Sequence, residues 1–203
     1  MIGELAEIAE ACDLSLPERY IRPIGVVGTG AILDVGHLPV YRAAGIPVPA
    51  IWGRTRGHAE RLATAHGIPR VCDTLEALLD DPEVAVVDVA VVPEAQVEIA
   101  LAALDAGKDV MCQKPLALDP AQAERIADRA DQLGRKVAVQ QQMRYEEGML
   151  AARAMIERGW IGEVSAMTFE VNLETDFGAW GWLGVAPQLE IYFHSIHYLD
   201  TIR

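Results

Sequence analysis

Ile24-Gly25-Val26-Val27-Gly28-Thr29-Gly30 is the stretch that decides the fold. Ile24–Val27 reads as a short apolar strand, and it runs directly into two glycines separated by one residue. A helix is expected next, reaching about Ala44 and stopping at Gly45. Outward from there, Val48–Trp52 reads as a second strand and Arg56–His66 as a helix stopped by Gly67. Thr74–Leu79 reads as a short helix with Asp73 as its N-cap. Val84–Val92 (VAVVDVAVV) is nearly continuous and β-branched, the pattern of a strand buried on both faces of a parallel sheet. Ala95–Ala106 is a helix ending at Gly107, and Asp109–Cys112 is the next strand. Asp119 caps a helix with Pro120 at its first position and Gln122 completing a capping box; it ends at Gly134, and Val137–Gln141 is a further strand. Strands alternating with helices over short connections predict an α/β fold with a doubly wound parallel sheet.

The flanks differ in character. Ile2, Leu5, Ile8, Ala9 and Cys12 recur at helical spacing, so residues 2–13 predict an amphipathic helix, after which Pro17 and Pro23 break the chain. Beyond the sheet, 148–158 predicts a helix leading to Gly159 and Gly162, Val164–Leu173 alternates as a strand, and the tail from Gln188 looks helical. The expected boundary lies near 143–147. Residues 1–145 are expected to form the doubly wound domain (1–22 as a helical extension), and 146–203 to begin an α+β second domain that one strand and two helices leave unfinished.

With 203 residues the chain has room for one domain of roughly 100–150 residues and part of another. Half of it is hydrophobic (51%), enough for a core, while its formal charge is −13. So acidic a surface argues against nucleic acid or an anionic membrane as partner. Cys12, Cys72 and Cys112 lie far apart without CxxC or metal spacing, which predicts reduced thiols and no metal site. The first residues carry Glu4, Glu7 and Glu10 rather than the basic start of a signal peptide, and no run approaches the ~18 apolar residues of a membrane span. A soluble cytoplasmic protein is expected.

The glycine pair is a place for phosphate. Gly28 permits the tight turn, and Gly30 lets the backbone approach a pyrophosphate that the helix N-terminus attracts. Gly28, Thr29, Gly30, Ala31 and Ile32 are therefore the first candidate cofactor contacts. Leu33 stands where a third small residue usually lets helix and strand pack closely. At the end of the second strand an NAD site usually has an acid for the ribose hydroxyls, but Trp52-Gly53-Arg54-Thr55-Arg56 has none. Arg54 and Arg56 can pair with a 2′-phosphate and Thr55 can donate to it, which favours NADP over NAD; the arginines also read as solvated surface charges.

Cys112-Gln113-Lys114-Pro115 follows another apolar strand, and ligands of open α/β sheets bind beyond the carboxyl ends of strands. An ammonium there can hydrogen-bond a substrate oxygen and stabilise developing negative charge; the bland reading is a surface lysine at a strand end.

Taken together these residues resemble the Gfo/Idh/MocA oxidoreductases, over nearly the whole chain from Ile24. The glycine loop matches Gly28-Thr29-Gly30, and the Glu-Lys-Pro motif matches Gln113-Lys114-Pro115 with Gln for Glu. The preceding Gly-Lys-strand pattern matches Gly107-Lys108-Asp109-Val110, and a basic-aromatic segment matches Met143-Arg144-Tyr145. The resemblance implies a Rossmann domain binding NADP or NAD. It places Lys114 beside the nicotinamide and the reacting hydroxyl, and Val92-Pro93-Glu94 beside the cofactor ribose. Gln96 falls where many relatives have His, and the bond before Pro115 is expected cis.

The tail reads Glu190-Ile191-Tyr192-Phe193-His194-Ser195-Ile196-His197-Tyr198-Leu199-Asp200. On a helix His194, His197 and Asp200 step by three along one face. An imidazole can take a hydroxyl proton as hydride leaves, and Asp200 can orient His197; both histidines can equally be packing residues. By resemblance His197 is the catalytic histidine of an Asp-x-x-x-His-x-x-Asp pattern whose first Asp falls on Phe193, leaving the Lys-Asp-His trio incomplete unless His194 substitutes. Arg144, Tyr145, His194 and Trp182 are candidate substrate contacts; Trp180 and Trp182 also read as packing.

Two functions follow. One is an enzyme exchanging hydride between a nicotinamide cofactor and a sugar, cyclic polyol or similar small molecule, with a homo-oligomer among the expected assemblies. The other is a non-catalytic nucleotide-binding protein or an inactive fragment of such an enzyme, whose sheet edges would be open to association.

Overall fold

The computed structural model describes residues 2–172, 174, 176, 184 and 188–203. They fall into two compact units, Leu16–Gln140 and a second made of Met1–Ser15 with Gln141–Arg203.

In the first unit, β1 (Ile24–Val27), β2 (Ala50–Trp52), β3 (Arg70–Val71), β4 (Val86–Val89), β5 (Asp109–Cys112) and β6 (Val137–Val139) form one sheet in the order β3-β2-β1-β4-β5-β6. Every pairing is parallel. Parallel neighbours need a crossover. Helices α2 (Leu38–Ala43), α3 (Arg56–His66), α4 (Leu75–Leu79), α5 (Pro93–Asp105) and α6 (Pro120–Leu133) lie along these crossovers. Because strand side chains alternate between faces, successive residues feed two different cores. Val26 and Ile51 join Leu33, Leu38, Tyr41 and Leu62 in one cluster. Val27 and Ala50 join Leu78, Val97, Leu104 and Ile126 in the other. The chain reverses its direction of travel across the sheet between β1 and β4, and ligands of open α/β sheets bind beyond the strands' carboxyl ends at such a switch point.

Several expectations change in detail. β3 was not expected; at two residues it is too short for any periodicity and exists through its pairing with β2. The run Val84–Val92 forms a ladder only over Val86–Val89, and α5 begins at Pro93 rather than Ala95, with Val92 as its N-cap. Thr74, not Asp73, caps α4: its hydroxyl accepts from the Ala77 amide, whereas Asp73 pairs with Arg56. The expected cap at Asp119 accepts from the Ala121 amide. The helix after the glycine loop opens through a π segment, Leu33–His37, before α2.

The second unit is lighter. Its first helix, α1 (Ile2–Ala11), was expected as an extension of the nucleotide-binding domain but packs on α7 (Glu147–Glu157). Arg158 donates to Glu7 at 3.0 Å, and the Cys12 thiol to the Glu147 carbonyl at 3.6 Å. Another π segment, Ile191–Ser195, precedes α8 (Ile196–Ile202), and α8 packs on the turn Gln142–Tyr145. The expected strand Val164–Leu173 is not seen among the described residues up to 172: alternation alone makes no strand without a neighbour for its amides. Among the described residues of this unit only Ala154 and His197 are buried, and no described helix of the protein is long and apolar enough to cross a membrane.

Candidate active site

The glycine loop stands at the carboxyl end of β1. The Gly28 amide donates to the Trp52 carbonyl at 2.9 Å, with φ at +127°. A Cβ on Gly28 would stand 2.2 Å from the Ala90 carbonyl oxygen, so no larger residue fits. Gly30 is the opposite case, with nothing within 4 Å of where a Cβ would point. The loop therefore offers bare backbone on its open side. By helix geometry the amides that follow, from Ala31 and Ile32, lack intrahelical acceptors. An open strand-to-helix turn with unspent amides fits the diphosphate of a dinucleotide. Leu33 is fully buried beneath the loop, its Cδ1 3.3 Å from the Gly28 Cβ position.

At the end of β2 the two arginines part company. Arg56 donates to Glu60 at 2.7 Å and also pairs with Asp73. Arg54 is exposed and has no ion pair among the described residues. Thr55 is the N-cap of α3, yet its hydroxyl accepts no cap bond. Gly53 lies against Thr29: a Cβ there would come within 2.4 Å of the threonine methyl, so an acid at this position would have to turn Thr29 aside.

At the end of β5, Lys114 is half-buried and its bond to Pro115 is cis. Burial lowers the ammonium's pKa from the ordinary lysine value. Gln96, almost wholly buried on α5, points its Nε2 at three carbonyls of this loop: Gln113 and Pro115 at 2.8 Å and Leu116 at 3.1 Å. Its amide holds the loop that carries the lysine. Val92 and Pro93 open α5 beside it in sequence, Pro93 being buried.

Beneath the loop lies a polar cluster that the sequence reading passed over. Asp88 is fully buried in β4, and its Oδ2 lies 2.7 Å from His37 Nδ1 and 2.9 Å from the Tyr41 hydroxyl. His37 Nε2 is 3.2 Å from Gln113 Nε2, and Gln113 Oε1 accepts from the Lys114 amide at 2.8 Å. Burial and the Asp88 charge push the Tyr41 phenol upward, and the same two causes push the Cys112 thiol up to about 12. One signal was legible: Asp88 is the single charge inside VAVVDVAVV, and a charge buried in such a strand needs partners.

The tail histidines belong to the second unit. His197 is buried, its Nε2 3.5 Å from Gln142 Nε2. His194 is more open; its Nδ1 faces Glu190 at 3.2 Å and its Nε2 the Tyr198 hydroxyl at 3.3 Å. Asp200 does not orient His197. It accepts a two-pronged bond from Arg144, with Nη2 2.9 Å from Oδ1 and Nε on Oδ2, and Arg144 also reaches its backbone carbonyl. A planar guanidinium matches a carboxylate better than an imidazole can. Tyr145 is exposed. Trp180 and Trp182 lie outside the described residues. No metal-binding group of His, Cys, Asp or Glu occurs among the described residues.

A parallel sheet in this strand order, with a bare glycine turn at its switch point, defines a dinucleotide-binding Rossmann domain. Residues 22–141 match the model of the GFO_IDH_MocA oxidoreductase family, NAD-binding Rossmann fold. The chain belongs to that family. It is 34% identical over 151 residues to an inositol 2-dehydrogenase/D-chiro-inositol 3-dehydrogenase of Lactiplantibacillus plantarum, an alignment covering 73% of this chain and 43% of the relative. It is 28% identical over 185 residues to a D-glucoside 3-dehydrogenase of Escherichia coli, covering 88% and 52%. Among solved structures, the 3-ketoreductase KijD10 of Actinomadura kijaniata, in complex with NADP, superposes with a TM-score of 0.63 at 30% identity, over 70% of this chain and 45% of that one. The chain spans about half the length of the curated relatives it matches.

Proposed function

We propose that this chain serves hydride exchange between a nicotinamide dinucleotide, NADP in preference to NAD, and a hydroxyl or keto carbon of a sugar, cyclic polyol or similar small molecule. One observation carries the reading. The turn at Gly28, the segment Gly53–Arg56 and the loop Gln113-Lys114-Pro115 follow β1, β2 and β5, so all three stand at one edge of one parallel sheet. Gly28, Thr29, Gly30, Ala31 and Ile32 hold the diphosphate, Arg54 and Thr55 the 2′-phosphate, and Val92 and Pro93 flank the ribose. A bound nicotinamide supplies the hydride chemistry, which no side chain possesses.

Lys114 donates to the reacting oxygen and stabilises its negative charge; partial burial strengthens that interaction by thinning the water around it. In the second unit the resemblance assigns proton exchange to His197, and His194 and Tyr145 are candidate substrate contacts. Relatives named for inositol and glucosides support the substrate class. The acidic composition and three free cysteines fit a cytoplasmic protein.

The test is fluorescence titration of NADPH and NADH, then a polyol and sugar panel with wild type and Lys114→Ala. Tighter NADPH binding is expected in both proteins, with turnover lost at least a hundredfold in the variant, about the size of one removed electrostatic donor. Failure of wild type to bind either nucleotide ends the proposal. Phe193, standing where the resemblance places an acid, favours a second reading in which the nucleotide binds and nothing turns over; binding without turnover on every panel member would select it.

A further inference from the structure

We infer that His37 is a positioning residue for Lys114, a neutral bridge that ties the lysine's backbone through Gln113 to the buried carboxylate of Asp88. The inference rests on Lys114 being the working lysine, and concerns how this chain holds it.

The directions of the hydrogen bonds follow from the atoms. Asp88 Oδ2, as a carboxylate oxygen, accepts from the Tyr41 hydroxyl and from His37 Nδ1–H. Gln113 Oε1 accepts from the Lys114 amide, so its other terminal atom is the NH2 group. That NH2 lies 3.2 Å from His37 Nε2. An amide NH2 can only donate, so His37 Nε2 must be the bare, accepting nitrogen. Every bond then points one way, from the Lys114 amide through Gln113 and His37 to Asp88. The ring carries its hydrogen on Nδ1 and no charge.

The surroundings agree. Among the described residues, the polar groups facing His37 are Asp88 from β4, Tyr41 from its own helix and Gln113 from the loop after β5. His37 is 7% exposed and Asp88 is fully buried, so water does not compete for these bonds. Gln96 holds the same loop from α5 through three carbonyls. Lys114 is thus fixed on one side by carbonyls and on the other by its own amide. A carboxylate at position 113 would have no hydrogen to give. It would hold its place only by accepting from Nε2–H, which forces His37 to become an imidazolium between two carboxylates.

The experiment needs no cofactor. In the full chain with 15N-labelled histidine, long-range 1H–15N spectra at pH 7 read the two ring nitrogens of His37, assigned by its loss in His37→Gln. Wild type is expected to show protonated Nδ1 and bare Nε2, and Gln113→Glu to show both nitrogens protonated. Hydrogen exchange at the Lys114 amide reads the positioning. His37→Phe, which gives Gln113 nothing to donate to, should speed it about tenfold, the consequence of loosening one hydrogen-bonded group. His37→Gln presents an oxygen to Gln113 and an NH2 to Asp88 at nearly the spacing of the ring nitrogens, and should restore slow exchange. A wild-type ring protonated on Nε2, a ring unchanged by Gln113→Glu, or exchange at Lys114 that His37→Gln fails to restore would overturn the inference. If His37→Phe does not fold, the ring spectra of wild type and Gln113→Glu decide. None of these readings depends on turnover, so they stand apart from the fate of the proposed activity.

Discussion

Lys114 carries a conflict between folding and use. Burial disfavours its charged form, and the charge is what the role proposed for it, stabilising a developing oxyanion, needs. The stability consequence has a definite sign. Below the folded-state pKa the lysine is charged in both states, and the folded state bears the desolvation cost. As pH rises from that lowered pKa to the ordinary value of 10.5, the folded state sheds its proton first and the cost fades. Lys114→Met keeps the buried stem and removes the charge. It is expected to raise the thermal midpoint at pH 7, on the order of 2 °C for a chain of this size. The advantage should shrink as pH approaches 10.5. Melting curves of both proteins between pH 7 and 10.5 measure it; a variant that melts lower than wild type at pH 7 would mean that the lysine's bonds outweigh its burial.

Among elements, the end of β2 and the start of α3 separate two arginines that the sequence leaves equivalent. Arg56 is engaged by Glu60 and Asp73, while Arg54 has no ion pair among the described residues. Arg54→Ala should weaken NADPH binding about tenfold or more and leave NADH unchanged, since a guanidinium–phosphate contact contributes roughly 1.5–3 kcal/mol. Arg56→Ala should cost NADPH less than Arg54→Ala does. Titration of both variants with both nucleotides checks the order, and equal losses would contradict it. This division shows what the sequence withheld. Patterns that recur within a segment were legible: β1, α3 and β5 fall where the strand and helix signals put them, because the glycine stops and apolar runs are local. Partners that depend on distant residues were not. Asp200 reads as a partner for His197 three residues away, yet Arg144 takes it from 56 residues off. Asp88, His37 and Gln113 meet only because β4, the helix after β1 and the β5 loop converge. The alternation in 164–172 is an element's pattern without its neighbour among the described residues.

For the molecule as a whole, the apolar burial of the described residues is distributed unevenly between the units. Both hydrophobic clusters lie within residues 24–137, and the segments proposed to hold the cofactor, 28–32, 53–56 and 113–115, belong to the same unit. The described residues of the other unit bury only Ala154 and His197. Since apolar burial is the dominant favourable term in folding, the unit Leu16–Gln140 is expected to fold alone. Expressed as that fragment, it is expected to melt cooperatively and to bind NADPH within about threefold of the full chain, a difference below 1 kcal/mol. Hydrogen exchange of the full chain gives the complementary reading: amides of β1, β4 and β5 should exchange last, and those of α1, α7 and α8 well before them, because few buried apolar contacts mean low local opening energies. A fragment that aggregates or fails to bind, or helices α7 and α8 protected as long as β1, would show that the sheet draws its stability from the remainder of the chain.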